Sequence, residues 1–192
     1  MATIITPRFR ASYPSVFEAK LNALSKKEEY SVVALFPKGA DLSKLKAEAE
    51  SVAIEKWGAN KNKWPRNLRS PFRDQAEKAK ENDSGNLVLP DGHEAGAIFM
   101  NLKSYQRPQV VNQNVEPIID RQEFYAGCWA VASVRAYAYE QMGNAGISFG
   151  LNNIQKVADA TPLGGGNAKA EDEFAPIAGT DENQGSAGSI FS

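Results

Sequence analysis

The segment from Phe124 to Tyr139 alternates small apolar residues with aromatic and charged ones, a pattern that could bind unpaired nucleic-acid bases. Side chains alternate between the faces of a β-strand, so the segment predicts two distinct surfaces. One predicted face holds Cys128, Ala130, Ala132, Val134, Ala136 and Ala138. The other holds Tyr125, Trp129, Val131, Ser133, Arg135, Tyr137 and Tyr139. Aromatic rings stack on bases without reading sequence, at about 1–3 kcal/mol per base. The alternative is that the aromatics form the core and the alanines face outward.

The span from Lys56 to Arg73 carries six cations and no acidic residue, with aromatic residues interleaved. Such a span creates a local positive potential, in which cations contact phosphates and aromatic rings stack on bases. The candidate nucleic-acid-binding residues here are Lys61, Lys63, Trp64, Arg66, Arg69 and Arg73. The alternative is a solvated loop that the tryptophans pin to the body of the protein.

A third candidate group is Lys103, Tyr105 and Arg107, which fall on one side if a strand continues through them. Alternation of a basic and an aromatic residue suits a nucleic-acid groove. A solvated edge strand would show the same pattern.

The sequence contains little that indicates catalysis. A nucleophilic Cys128 would need His93, the single histidine, as its partner, and an inert buried thiol is the more common state of such a cysteine. One cysteine and one histidine cannot build a zinc site within one chain, and no Asp/Glu cluster has ligand-like spacing. Asp120 and Glu123 have no complementary residues. We therefore expect no enzymatic activity, no metal and no cofactor.

Charge is divided unevenly along the 192 residues. Residues 1–158 carry 21 Lys/Arg against 17 Asp/Glu, whereas residues 159–192 carry one Lys against six Asp/Glu. Such asymmetry at one end is typical of proteins that bind nucleic acids or protein partners. The last segment is rich in Gly, Ala and Asn without periodicity, which predicts a disordered acidic tail at 159–192 after a single folded domain at 1–158.

The elements that must position these residues are mainly β. Apolar and β-branched runs predict strands at 3–11, 30–36, 97–104, 108–111, 123–139 and 145–151. Helical spacing of apolar residues predicts a helix at 41–57, with Asp41 as N-cap and Gly58 as stop. Residues 75–82 suggest a short polar helix and residues 152–157 a helical turn. The fold class is therefore mainly β with one or two helices, best fitted by a small, partly open β-barrel.

No secretory signal or membrane-spanning run is recognisable, so we expect a soluble cytoplasmic protein without membrane contact. Gly164-Gly165-Gly166 follows no predicted strand and opens no predicted helix, which argues against nucleotide binding.

Two stretches resemble a family of phage and prophage proteins associated with single-stranded DNA-binding proteins of OB-fold type. The first is EFYAGCW at 123–129 followed by ASVRAY at 132–137, and the second is GLNNIQKV at 150–157 followed by PLGG at 162–165. The opening FRASY at 9–13, the strand at 30–37 and PFRD at 71–74 are similar too. The resemblance covers nearly the whole chain in order.

The resemblance implies an OB-fold barrel that coats and protects single-stranded DNA in phage replication, recombination or repair, in the cytoplasm of the infected or lysogenic host. It also implies that the acidic tail contacts replication or recombination proteins, with Glu171, Asp172, Glu173, Phe174 and Phe191 as candidates. Two alternatives stay open: a phage structural or scaffolding protein that assembles through its β-domain, and an annealing protein. A homo-oligomer is also compatible with the sequence.

Overall fold

The computed structural model describes residues 2–23, 25–141 and 143–164 of the chain. Most of this part is β-structure, and one α-helix, α1, spans Ser43–Trp57. The strands are β1 (Ile4–Ile5), β2 (Phe9–Leu21), β3 (Glu28–Leu35), β4 (Arg73–Asp74), β5 (Lys80–Glu81), β6 (Leu87–Val88), β7 (Ile98–Ser104), β8 (Gln109–Val111), β9 (Trp129–Gln141) and β10 (Asn144–Ala158). Short 3-10 helices cover Lys61–Lys63 and Gln75–Lys78.

Five strands are joined into a ring in the order β2-β3-β7-β10-β9 and back to β2. All of these pairings are antiparallel except that between β7 and β10, which is parallel. Two joints of the ring have two residue pairs each, so the barrel is partly open. One is β7 with β10, and the other is β2 with β9, where Phe9 pairs with Ala130 and Arg10 with Trp129; we call this second joint the seam. A mainly β, partly open five-stranded barrel is therefore confirmed.

The small residues of β9 face the inside of the barrel. Ala130, Ala132, Val134 and Ala136 are at most 1% exposed. Their small size leaves room for large rings in the same core, including Phe9 and Phe36, whose centroids lie 5.7 Å apart in an edge-to-face arrangement. The predicted assignment of the two faces of this strand is confirmed, and the alternative with the aromatics in the core is wrong.

Helix α1 packs against β9 and β10 through Leu45, Ala49, Val52 and Ala53, four of the five residues whose spacing predicts it. The helix begins two residues later than predicted, and the prediction of Asp41 as N-cap is wrong, since Leu42 holds that position. Asp41 lies just before it, and its Oδ1 accepts a hydrogen bond from the Ser43 backbone N–H. Gly58 ends the helix with φ of 84°, a conformation that glycine adopts readily. No helix among the described residues is long and apolar enough to cross a membrane.

Four predicted elements differ in the structure. The short helix predicted at 75–82 is a 3-10 helix at Gln75–Lys78 only, and β5 follows it at Lys80–Glu81. The helical turn at 152–157 is wrong, because β10 continues to Ala158 and pairs with β8 and β9 there. A register shift between Leu151 and Asn153 interrupts the alternation that would have revealed the strand. The predicted strand at 3–11 is two strands, and the second runs on to Leu21. The predicted strand at 123–139 begins only at Trp129, since turns occupy the preceding residues.

The chain crosses back over the barrel after β10, and we call residues 159–164 the strap. Tyr125 Oη donates to Asp159 Oδ1 and contacts the carbonyl of Ala160, both at 2.9 Å. The Leu163 N–H donates to the Ala126 carbonyl at 2.8 Å. The composition predicts that the acidic tail begins at residue 159. These contacts, however, attach residues 159–164 to the barrel. The expected tail from residue 165 onward, with Glu171, Asp172, Glu173, Phe174 and Phe191, lies outside the described residues.

Candidate nucleic-acid interface

One continuous outer surface of the barrel is formed by β3, β7, β10 and β9. Residues directly opposite each other in a sheet point to the same side, so the register defines this surface. One row joins Ser31, Lys103, Gly150 and Arg135, and a second contains the pairs Val33–Asn101 and Ser148–Tyr137. We call these eight residues the outer face. Their side chains are half-buried or exposed, and they point away from the buried core.

The middle of the outer face has no projecting side chain at Gly150. A Cβ added to Gly150 would lie 3.7 Å from the Arg135 carbonyl oxygen and 3.9 Å from the Tyr137 ring, which is ordinary contact. Glycine is therefore not required there for packing, although it weakens a strand. Because glycine has no side chain, there is space between Lys103 and Arg135, and the backbone of a bound chain could approach the sheet closely there.

Aromatic rings lie at one end of the outer face. A Cβ on Gly146 would lie 2.5 Å from the Tyr139 hydroxyl, which shows that this ring covers the glycine. The centroids of Tyr137 and Tyr139 are 6.5 Å apart, and Tyr137 is exposed. The two rings form a small aromatic patch on which bases could stack.

Arg69 extends this end of the outer face with a cation. Its backbone N–H donates to the Ala145 carbonyl and its carbonyl accepts from Ile147, so the residue is fixed along β10. Its guanidinium donates to Asn144 Oδ1 at 2.9 Å, a neutral acceptor, and no carboxylate of the described residues forms an ion pair with it. Arg69 from the basic loop is thus brought to the same surface as Arg135 and Tyr137, which the sequence places in a different candidate group.

Lys103 near the end of β7 and Tyr105 just after it each contact a charged residue near the start of β3. Lys103 Nζ forms an ion pair with Glu29, whose side chain is nearly buried. Tyr105, just after β7, is 65% exposed, and Lys27 Nζ lies 5.6 Å from its ring centroid. Lys27 belongs to the β2–β3 connection and is not among the residues that the sequence pattern indicates. The sequence around Lys27 does not indicate that this residue lies next to the end of β7.

The predicted basic loop is partly committed to structural contacts. Trp64 Nε1 donates to the Gly58 carbonyl at 2.8 Å, and Trp57 Nε1 donates to Glu140 at 2.9 Å. Lys61 forms an ion pair with Glu50 and lies 5.7 Å from the Trp64 ring centroid. The tryptophans therefore anchor this loop, as the alternative interpretation expects. Lys63 and Arg66 are exposed.

Arg73 is also engaged. Its guanidinium binds Glu77 at 2.6 Å and lies 4.9 Å from the centroid of Phe99, a ring with no exposed surface. Its charge is thus balanced locally, which distinguishes it from Arg69 and Arg135.

Three further predicted residues lie away from the outer face. Tyr125 precedes β9 and holds the strap, and burial raises the pKa of its hydroxyl. Arg107 borders an apolar groove lined by Phe17, Pro108 and Ile118 among others. Trp129 shares the outward side of β9 with Arg135 but lies six residues away, about 20 Å at roughly 3.3 Å per residue.

An unusual backbone conformation marks a residue that the sequence does not single out as a site. Tyr13 has φ of 45° and is 69% exposed. It lies in β2 between Ser12 and Ser15, where the register with β3 shifts. A non-glycine residue with positive φ at a bulge is a common feature of binding surfaces. The alternation of residue types carries no signal of such a bulge.

The single cysteine makes the folding of any variant measurable. Cys128 has no exposed surface, and burial raises the pKa of its thiol. We expect the thiol to react with an aromatic disulfide reagent at least about a hundredfold more slowly in the native protein than in urea, because reaction requires local opening. Absorbance of the released thiolate measures this rate. Equal rates in both conditions would contradict the burial.

A family model described as "Enterobacter phage Enc34, ssDNA-binding protein" matches residues 2–185. No curated protein sequence matches the chain significantly.

Solved structures of low sequence identity share the fold. The single-stranded DNA-binding protein from bacteriophage Enc34 in complex with ssDNA is 19% identical with a TM-score of 0.64, over 84% of this chain and 89% of that one. A second structure, of the single-stranded DNA-binding protein from bacteriophage Enc34, is 21% identical with a TM-score of 0.62, over 90% of each chain. The gp2.5 single-stranded DNA-binding protein of bacteriophage T7 is 13% identical with a TM-score of 0.58, over 92% and 99%.

Proposed function

This chain belongs to the family of the Enterobacter phage Enc34 ssDNA-binding protein, and we propose that it binds single-stranded DNA through its outer face. The observation that carries the proposal is the row Lys103, Gly150 and Arg135, with Tyr137 beside it. Cations, an aromatic ring and a glycine on one barrel surface suit a strand that lies against the sheet.

Each group of residues has a separate role in this proposal. Arg135 and Arg69 bind phosphates through guanidinium N–H donors that no carboxylate occupies among the described residues. Lys103 exchanges its ion pair with Glu29 for a phosphate. Tyr137, Tyr139 and Tyr105 stack on bases, which gives binding without strong sequence preference. Lys63 and Arg66 contribute long-range attraction from the neighbouring loop.

Titration at several salt concentrations tests the electrostatic part of the proposal. If about five phosphates are neutralised, the logarithm of the association constant falls against the logarithm of salt concentration with a slope of about −3.5. Fluorescence anisotropy of a labelled oligodeoxythymidine, together with quenching of tryptophan emission, measures binding. A salt-independent affinity would contradict phosphate contact by these side chains. The same oligonucleotide as a duplex serves as the control and should bind more weakly.

We also propose that the acidic segment after the strap competes with DNA for the cations. Residues 165–192 contain five acidic residues and one lysine. A chain that ends at Gly164 keeps the strap contacts and should bind oligodeoxythymidine more tightly, by about tenfold at low salt, with the difference shrinking as salt screens the charges. Anisotropy titration measures this.

A full-length variant in which Glu171, Asp172, Glu173, Asp181 and Glu182 are changed to the corresponding amides is the matched control. It should reproduce the tighter binding, since only charge is removed. If truncation and neutralisation both leave affinity unchanged, the segment does not compete with DNA.

The biological role that we propose is coating of single strands during phage DNA replication, recombination or repair. Family membership supports this role, and the same acidic segment is the proposed contact for replication or recombination proteins.

A further inference from the structure

We propose a second phosphate-binding site at the seam of the barrel, formed by Arg8, Arg10 and Trp129, which we call the seam cluster. It rests on the proposed function, because its ligand is the phosphodiester backbone of the same single strand. Arg10 lies directly opposite Trp129 in the pairing of β2 with β9. Arg8 is two residues from Arg10. The guanidinium carbons of Arg8 and Arg10 lie 5.2 and 5.6 Å from the centroid of the Trp129 ring.

The two arginines are oriented but not neutralised. Arg10 donates to the carbonyls of Gly127 and Thr161, the second at 2.6 Å, and both acceptors are uncharged. Arg8 is exposed and makes no hydrogen bond or ion pair within the described residues. No ion pair in this part of the chain joins either guanidinium to a carboxylate. Two positive charges on one indole repel each other, and a bound anion relieves that repulsion.

A phosphate group fits this site better than a base does. Guanidinium groups already lie against the indole, so little of the ring is open for stacking, while their outward N–H donors form planar forks that match phosphate oxygens. The strap supplies further rigidity, because Thr161 fixes Arg10 and the preceding Asp159 and Ala160 are tied to Tyr125.

The position of the seam cluster indicates which phosphates it takes. Trp129 lies on the outward side of β9, about 20 Å from Arg135 along the strand. The outward residues between them are Ser133 and Val131, neither of which is acidic. A single DNA strand bound on the outer face can therefore continue along β9 to the seam cluster. An oligonucleotide that covers only the outer face ends before it reaches the seam cluster.

The dependence of affinity on oligonucleotide length tests this site. We would compare wild type and Arg8→Gln, both full length, with oligodeoxythymidines of about 4 and about 16 nucleotides, the limits of the common site sizes of OB folds. For the longer oligonucleotide we expect Arg8→Gln to bind about tenfold more weakly and its salt slope to be smaller by about 0.7. For the shorter one we expect no change. Arg8 is chosen because its side chain is exposed and makes no hydrogen bond or ion pair within the described residues, apart from its contact with the Trp129 ring.

Two matched variants separate this inference from the proposed function. Lys38→Gln removes one exposed positive charge outside the seam cluster and the outer face. It should leave the affinity for the short and for the long oligonucleotide nearly unchanged. Arg135→Gln should weaken binding of both lengths if the outer face binds DNA. If Arg135→Gln behaves so while Arg8→Gln has no effect, or weakens both lengths equally, the seam cluster is overturned and the outer face stands. If Arg135→Gln changes neither length, the proposed function fails instead.

Discussion

Replacing Gly150 with glutamate is expected to weaken binding of oligodeoxythymidine about a hundredfold or more. The new side chain would lie on the outer face between Lys103 and Arg135, where its carboxylate would pair with the cations and repel phosphates. Two charge-assisted hydrogen bonds lost at about 1.5 kcal/mol each amount to about 3 kcal/mol, and each 1.4 kcal/mol is a tenfold change in affinity. Anisotropy titration at low salt measures the effect.

The fold should survive this substitution. A Cβ at this position meets its nearest neighbours at 3.7 Å or more, and its φ does not lie in the left-handed region. Gly150→Ala is the matched control: it adds the Cβ without charge and should bind within about threefold of wild type, since it forfeits none of the charge-assisted bonds. Slow reaction of the Cys128 thiol would show that both variants are folded. Tight binding by the glutamate variant would show that DNA does not use the outer face.

Replacing Gly127 with alanine is expected to lower the free energy of unfolding by about 2–4 kcal/mol, which combines backbone strain with lost strap contacts. Gly127 has φ of 111°, where a side chain is strained. A Cβ there would also lie 2.5 Å from the Thr161 carbonyl oxygen and 3.0 Å from the backbone of Pro162 and Leu163. The strap would have to move away from the barrel. In a domain of this size the melting temperature should fall by roughly 5–15 °C.

Gly39→Ala separates the two causes of this loss. Gly39 has φ of 83°, and a Cβ there would meet nothing within 4 Å. The alanine variant should therefore show only the backbone strain, about 1 kcal/mol. Calorimetry or circular dichroism of the three proteins measures the difference. If both substitutions lower the melting temperature equally, close packing of the strap on Gly127 adds no stability.

The predictions that succeeded rest on local regularity. The alternation from Cys128 to Ala136 is a direct consequence of strand geometry, and it correctly separates the buried side of β9 from the outward side. Alternation does not show where a strand begins or which other strands lie beside it. Tyr125 therefore fits the alternation although it lies before β9. Trp129 lies on the same side of β9 as Arg135 but six residues away from it. The interruption of β10 after Leu151 conceals its last residues for the same reason.

The candidate site depends on tertiary pairing, which the sequence does not reveal. The loop with six cations suggests uniform phosphate contact, yet Lys61 pairs with Glu50 of α1 and Arg73 with Glu77. Arg69, in contrast, is brought to the end of the outer face by backbone bonds to β10, a strand about 75 residues later in the chain. Parallel pairing of β7 with β10 completes the surface, and such long-range contacts leave no periodic signal.

The position of β10 has a consequence for how the protein is made. This strand pairs with β7, β8 and β9, so the pairing of three earlier strands depends on its synthesis. During synthesis the hairpin of β2 and β3 and the antiparallel partner β7 can associate first, because they need only residues already translated. The second edge of β7 stays unpaired at Leu102 and Lys103 until Phe149 and Gly150 of β10 have left the ribosome, whereas β2 can pair with β9 earlier. Closure of the barrel is thus a late event with distant contacts, which favours slow folding and a period of vulnerability to aggregation.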